Sequence, residues 1–413
     1  MANLESSKDK VQDEVDRIAP ALIECSDWMA DNPEIGLREF EASARLSRML
    51  EEAGAGVKRG IAGLPTAFRA VLPGGHSNGP TVAIVAEYDA LPEVGHGCGH
   101  NIIGNSAVGA GVALAQLARA EPLPGTVIVI GSPAEESAVA GAGGKIPILE
   151  QGYFDPADVA IMIHPLFEDR VSGSSMTAYG VTFEFHGKAA HAAFDPDHGI
   201  NALDAVIQTF VSIGMLRQQI RSESRIHGVV THGGGAPNVI PAYAACRFRI
   251  RSFDPVYAVE LKQRVIACAD GAAAATGARL EWHEDTKPYL SMIGSDTIGK
   301  LLRANMQALG RRVAEEADAS AASTDFGNVS QAVPACTAFF AICGQDTGWH
   351  SKEVAAATKT PTGHQSLIAA AKTLAMTALD LLYNPDLIAQ AKREHEESMK
   401  PIREGLAELR VDS

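Results

Sequence analysis

The sequence predicts an α/β fold: a mostly parallel sheet domain flanked by helices, with a smaller α+β domain inserted into it. Three observations carry this expectation. Short apolar runs at residues 81–86, 126–130 and 159–163 alternate with stretches of helical periodicity, the texture of a parallel sheet covered on its faces. From about residue 179 strands and helices follow in a different order. The length of 413 residues also exceeds the roughly 250–300 at which a single core stops growing, so two domains are expected.

Taken in order, residues 4–29 and 38–53 place apolar side chains at helical spacing. The three apolar runs follow and are assigned as strands. Across residues 181–185, 201–219, 228–232, 245–250, 256–275 and 279–283 the pattern reads strand, helix, strand, strand, helix, strand. That is the split unit of ferredoxin-like domains. Residues 296–309 resume the helical pattern of the larger domain, which puts 1–178 and 291–413 in that domain and 179–290 in an inserted lid. The low-charge stretch 366–383 contains Lys372, Thr373, Thr377 and Asp380, which is wrong for a membrane span, and it reads as a buried helix.

Composition narrows the function. Lys and Arg total 35 against 50 Asp and Glu, and the formal charge of −15 repels phosphate backbones and anionic headgroups. Neither nucleic acid nor membrane is an expected partner. Met1-Ala2-Asn3-Leu4 leads into a mixed-charge helical stretch without the pattern of a signal peptide, so a cytoplasmic location is expected. The six cysteines form no paired CxxC motifs and lack the density of a secreted scaffold. Cys98 alone is singled out.

In parallel sheets ligands sit beyond the carboxyl ends of the strands, where Asp89, Glu135, Glu136 and His164 all fall. Cys98 and His100 flank a glycine, so on a turn both side chains reach one small volume, and thiolate with imidazole favours zinc-like ions. His96 and His100 also have the spacing of a helical metal site, but Gly95, Gly97 and Gly99 make a helix there costly. Glu135 and Glu136 follow a strand on an exposed loop, where extended neighbours point opposite ways, so one can bind metal while the other faces a water to be activated. Each piece has a plainer reading: a glycine-rich connector, two solvated glutamates, a capped histidine, a turn-forming Asp89. Their conjunction at successive strand ends favours a metal-centred hydrolase. Gly141-Ala142-Gly143-Gly144-Lys145 lacks the Ser or Thr of a phosphate-binding loop, since Ile146 follows, and reads as a mobile loop beside the site.

These motifs resemble the metallopeptidases of family M-20, which include aminoacylase, glutamate carboxypeptidase and the indoleacetyl-amino-acid hydrolases. The resemblance spans nearly the whole chain. Asn32-Pro33-Glu34-Ile35-Gly36, Gly63-Leu64-Pro65-Thr66-Ala67-Phe68, the Asp89 loop, Cys98-Gly99-His100, Glu135-Glu136, His164-Pro165 and Gly187-Lys188-Ala189-Ala190-His191-Ala192 resemble its subfamily D. Pro237-Asn238-Val239-Ile240-Pro241 and Ser323-Thr324-Asp325-Phe326-Gly327-Asn328-Val329-Ser330 are similar to the branch of aminobenzoyl-glutamate hydrolase and the β-alanyl-lysine dipeptidases. Two positions depart from the pattern: Glu87 stands where several branches carry a histidine ligand, and Asn101 where subfamily D usually has aspartate.

The resemblance implies a zinc-exopeptidase-like main domain and two divalent metal ions held by Cys98, His100, Glu136, His164 and His350, with His364 the rival for the last place. Zinc is the leading metal; manganese, cobalt and nickel also suit the donor set. It implies Glu135 as general base, Asp89 as a residue orienting a ligand, and His191 reaching across a homodimer formed through the lid to stabilise an oxyanion. Asn238 would contact substrate at that interface, and Arg251 would clamp a carboxylate, although Arg247, Arg249 and Arg251 on one strand face also read as a solvated basic stripe. The expected function is hydrolysis of the amide bond of a small N-acyl amino acid or dipeptide-like substrate. Its rivals are an exopeptidase on true dipeptides and a catalytically inactive metal-binding module.

Overall fold

The computed structural model describes residues 2–75, 78–315 and 322–411. The chain begins with α1 (Ala2–Asp31) and α2 (Phe40–Glu52), then β1 (Gly56–Arg59), β2 (Phe68–Val71) and β3 (Thr81–Glu87). Next come α3 (His100–Ala120), β4 (Thr126–Ser132), α4 (Lys145–Glu150), β5 (Val159–Leu166) and β6 (Arg170–Ser172). A second unit holds β7 (Thr177–His186), α5 (Ala202–Leu216), β8 (Arg225–His232), β9 (Tyr243–Ser252), α6 (Pro255–Thr276) and β10 (Arg279–Glu284). The chain then returns through α7 (Asp296–Ala308), α8 (Phe326–Ala332), β11 (Ala335–Ala341), α9 (Lys352–Ala357), α10 (Pro361–Tyr383) and α11 (Pro385–Val411).

The first unit's sheet has the order β1-β2-β4-β3-β5-β11-β6. The apolar runs form its centre, where β4, β3, β5 and β11 are parallel. Both edges are antiparallel, so the sheet as a whole is mixed. The edges follow from chain length: too few residues separate β1 from β2, or β5 from β6, for a parallel crossover. The central strands are buried on both faces, and α1, α3 and α10 pack on one another. Among the described residues one helix, α10, is long and apolar enough to cross a membrane, but most of it is buried in the protein. Its polar groups are met from neighbouring helices: Asn305 donates to Thr377 at 2.9 Å and Asp380 at 2.8 Å, and Lys8 pairs with Asp380 at 2.6 Å.

His164 lies within β5 rather than at its end, because Pro165 does not stop the ladder. The Ala160 N–H bonds toward the β11 side, so by alternation the nitrogen of Pro165 faces β3, and pairing with β3 already ends at Ile161. The missing donor therefore costs no ladder bond.

The second unit pairs β10-β7-β9-β8, antiparallel throughout, with α5 and α6 packed on the sheet. Val181, Phe183 and Phe185 on β7 alternate inward with Cys246, Phe248 and Ile250 on β9. Asn201 caps α5 and Asp254 caps α6 by accepting main-chain N–H groups, which fixes where each helix begins. Together the units make a two-domain α/β architecture with a mixed main sheet and a separate four-stranded antiparallel one. The second unit comprises Ser175–Ser291, joined by Ser323 and by α11 from Pro401 onward. A Cβ at Gly405 would lie 2.9 Å from Val256, so that end of α11 packs against the start of α6.

Gly131 on β4 sits under the ring of Phe68, which would lie 2.1 Å from an added Cβ. Gly131→Ala is expected to destabilise the first unit by about 1–3 kcal/mol through overpacking, read as a lowered melting temperature. An unchanged melt would show that the ring can yield.

Candidate metal centre and active site

The site is built where β3, β4 and β5 deliver their last residues. Beyond Glu87, Tyr88 is buried and donates its hydroxyl to the Thr66 carbonyl at 2.6 Å, which anchors the turn carrying Asp89. Asp89 Oδ1 accepts from His100 Nδ1 at 2.8 Å and Oδ2 from the Glu136 N–H at 3.0 Å. Burial pushes this carboxyl up, but His100, the Glu136 N–H and Lys145 together hold it below its ordinary range.

Cys98 lies on the turn before α3, and His100 is the first residue of that helix rather than part of the turn. Gly99 between them has φ +77°, and a Cβ there would lie 2.7 Å from Pro165, so glycine meets both a left-handed backbone and a close approach to β5. His96 is buried nearby. Asn101 turns away from the cluster to donate to Ser26 Oγ on α1 at 3.0 Å; its place is in packing.

His164 Nδ1 faces the Pro165 carbonyl at 2.7 Å, which can only accept, so that nitrogen carries the proton. Its Nε2 is left toward Cys98 Sγ at 3.5 Å. His100 is oriented in the same sense: Nδ1 is taken by Asp89, and the buried Nε2 has no hydrogen-bond partner among the described residues. Burial pushes the Cys98 thiol up, yet His164 and His100 against it hold it well below its ordinary range, as the thiolate a metal requires. Trp349 adds an indole N–H to the sulfur at 3.4 Å.

The glutamate pair departs from the exposed, extended segment expected of it. Ala134 has φ +55°, Glu135 is buried, and oxygens of both carboxylates lie within 4.8 Å of His100 and of each other. The two side chains therefore converge. Burial, then Glu87, Glu136 and Asp325, raise Glu135 well above its ordinary range; burial and the Cys98 thiolate push Glu136 up to about 7, with His350 pulling it back. His350, at φ +61°, stands 3.2 Å from Glu136 Oε1, whereas His364 pairs with Asp27 at 2.9 Å in the first turn of α10.

Ligand atoms of Cys98, His100 and His164 form one group within 4.8 Å, and those of Cys98, Glu136 and His350 another. Two such groups meeting at a single sulfur, with the His100 Nε2 lone pair turned toward them, are consistent with a dinuclear divalent-metal site.

Sequence reasoning missed the buried charges behind this cluster. Lys145 does not sit on a mobile loop: it is fully buried, pairs with Glu87 at 2.6 Å and also contacts Asp325. The apolar Ile146-Pro147-Ile148 directly after it was the available signal of a buried helix start. Glu39 was also missed; it accepts from the Ala134 N–H at 2.8 Å and from Thr66 at 3.0 Å, and so holds the strained residue before Glu135.

In the second unit, the Ala193 and Phe194 N–H groups donate to His191 Nδ1 at 3.3 and 3.1 Å, which leaves the neutral ring's proton on Nε2. Asn238 is exposed on the adjoining segment, where its carbonyl accepts from Ala192 at 3.0 Å. Arg251 is elsewhere, donating to Ser323 at 3.2 Å from the far end of β9. It lies eight positions along the strand from Tyr243, the end nearer Asn238, which is roughly 27 Å. Arg247 pairs with Asp285.

The model of Peptidase family M20/M25/M40 matches residues 83–379. The chain is 35% identical over 405 residues to Xaa-Arg dipeptidase of Mus musculus, covering 95% of this chain and 93% of that protein. It is 27% identical to a p-aminobenzoyl-glutamate hydrolase subunit of Escherichia coli (strain K12), covering 94% of each. A solved Bacillus subtilis dinuclear metal binding peptidase from the M20 family superposes with a TM-score of 0.65 at 23% identity, over 89% of this chain and 99% of that one, which is a likeness of fold.

Burial, then the nearby Asp89, push Glu39 up to about 7. A carboxyl raised in the fold binds its proton there while the unfolded chain has released it. Its stabilising contribution is therefore full below about 4.5 and is lost as pH rises to about 7. Glu39→Gln keeps an acceptor for the Ala134 N–H and should gain on the parent by about 3 kcal/mol between pH 4.5 and 8. Melting curves across that range check it, and a difference independent of pH would refute it.

Proposed function

Because this chain belongs to peptidase family M20/M25/M40 and is a metal-dependent hydrolase of amide and peptide bonds, we propose that it is a subfamily D enzyme acting on N-acyl amino acids or dipeptide-like conjugates. The observation that carries this reading is Cys98 shared by two ligand groups, with buried Glu135 directly beside them. Cys98, His100, Glu136, His164 and His350 would hold two divalent ions, zinc foremost. When bound, such ions acidify water and polarise an amide carbonyl. Glu135, whose proton affinity is raised by its buried surroundings, would as the carboxylate take a proton from the attacking water and pass it to the leaving amine. Asp89 keeps His100 and the glutamate loop in register through its two hydrogen bonds.

We further propose that the enzyme is a homodimer in which His191 and Asn238 complete the partner's site, while Arg251 clamps the substrate carboxylate. A small amide cannot span the roughly 27 Å that separates Arg251 from the Asn238 end within one unit, so the groups need a second copy to meet. The exposed stripe Ile207, Val211 and Met215 on α5, and Val229 and Val230 on the open edge strand β8, supply apolar surface for that contact. The neutral tautomer of His191 presents Nε2–H, the donor an oxyanion wants. A cytoplasmic location fits six cysteines that form no disulfide.

A second reading, a dipeptidase on true peptides, is favoured by the 35% identity to Xaa-Arg dipeptidase. The charge of −15 would steer cationic dipeptides inward and hold anionic conjugates off. Metal content and amine release over N-acyl amino acids, aminobenzoyl-glutamate and Xaa-Arg or Xaa-Lys dipeptides separate the two, and no release with any metal added back would overturn both.

Glu135→Gln is expected to retain its metal and lose turnover by at least about 100-fold; normal turnover would remove Glu135 as the base. Equal amounts of Glu135→Gln and His191→Ala chains, dissociated and reassembled together, should recover roughly a quarter of wild-type activity, since half the dimers then carry one intact site. Recovery of none would place His191 in its own protomer's site, and full activity of the His191→Ala chains by themselves would place it outside catalysis.

A further inference from the structure

Lys145 opens α4 fully buried, with its charge held away from water. Its ammonium lies 2.6 Å from Glu87 Oε1 and against Asp325 Oδ1, and its main-chain N–H donates to Asp325 Oδ2 at 2.9 Å. Oxygens of Glu87, Glu135 and Asp325 lie within 4.8 Å of one another. Three carboxylates at that spacing form a cage with oxygens of the kind a divalent cation takes, and here a side-chain ammonium stands among them.

The cage adjoins the metal cluster. Glu87 Oε2 is 3.6 Å from His100 Nε2, the nitrogen turned toward the metals, so an unrestrained Glu87 is within reach of ligating there. Lys145 cannot withdraw from its post. Gly143 N–H donates to the Ala134 carbonyl at 2.7 Å, and a Cβ on Gly144 would come within 2.1 Å of the Pro133 carbonyl, so the segment carrying Lys145 is pressed against the segment carrying Glu135.

We propose that Lys145 is a positioning residue that acts as a fixed third cation: it retains Glu87 and Asp325, keeps them from ligating, and thereby reserves two metal places beside Glu135, the base. The inference rests on the reading of Glu135 given above. A built-in ammonium differs from a third metal ion in one useful respect: it neutralises the carboxylates without offering an open coordination position to water or substrate.

The test titrates metal-free protein with zinc or manganese and follows the number of ions bound per chain by calorimetry, alongside kcat and KM. Lys145→Met should bind a third ion, and kcat should fall by about 100-fold or more while KM moves far less. Lys145→Arg keeps the charge and should stay at two ions with part of kcat restored. If Lys145→Met fails to fold, Lys145→Met combined with Glu87→Gln removes one charge of each sign; it should fold, bind two ions and keep part of kcat, because residue 87 then needs no restraint. A folded Lys145→Met protein with two ions and wild-type kcat would overturn the proposal, as would a double variant that takes up a third ion. Failure of the base assignment is read separately from Glu135→Gln, because the ion count of Lys145→Met does not depend on it.

Discussion

Asp89 is the constraint on which the site depends. One oxygen fixes the tautomer of His100 and the other fixes the main chain at Glu136, so one carboxylate sets the turn before α3 and the loop after β4 against each other. Neither segment could hold its geometry alone. The turn is rich in glycine, and the loop passes through a left-handed Ala134. Asp89 is itself placed by the parallel pairing of β3 with β4, which brings the carboxyl ends of both strands to the same end of the sheet.

Around that bond the protein arranges charge in layers. The innermost layer is a thiolate and imidazoles oriented so that their free lone pairs converge. Behind it lie Glu87, Glu135 and Asp325, whose mutual repulsion would be prohibitive in a buried place without Lys145 among them. Glu39, further out, takes up the strain of the glutamate loop through hydrogen bonds instead. Orientation of His100 and of His164 is thus secured by a group outside the donor cluster, Asp89 for one and the Pro165 carbonyl for the other, which is how affinity and reactivity are tuned in metal sites generally.

Much of this was legible in the chain. The runs at 81–86, 126–130 and 159–163 are strands because a doubly covered parallel sheet demands continuous apolar stretches, and the β-α-β-β-α-β texture of the second unit carries its own alternation. Asp89, Glu135, Glu136 and His164 were legible because titratable residues after apolar runs have few structural reasons to be there, and Cys98 and His100 because a thiol and an imidazole flank one glycine. Lys145 and Glu39 were illegible for the opposite reason: a lysine after glycines and a glutamate before a helix are ordinary surface residues by composition.

Sequence alone therefore determined the two layered sheets, the acidic character and the donor types of the site, since periodicity and residue chemistry are local properties. Only the tertiary structure decided which donors meet. It brought His350 rather than His364 to Glu136, turned Glu135 and Glu136 to the same side, carried β5 past Pro165, and filled a carboxylate cage with Lys145. Each of these rests on contacts between residues far apart in the chain, and no local pattern encodes the partner that a buried charge will find.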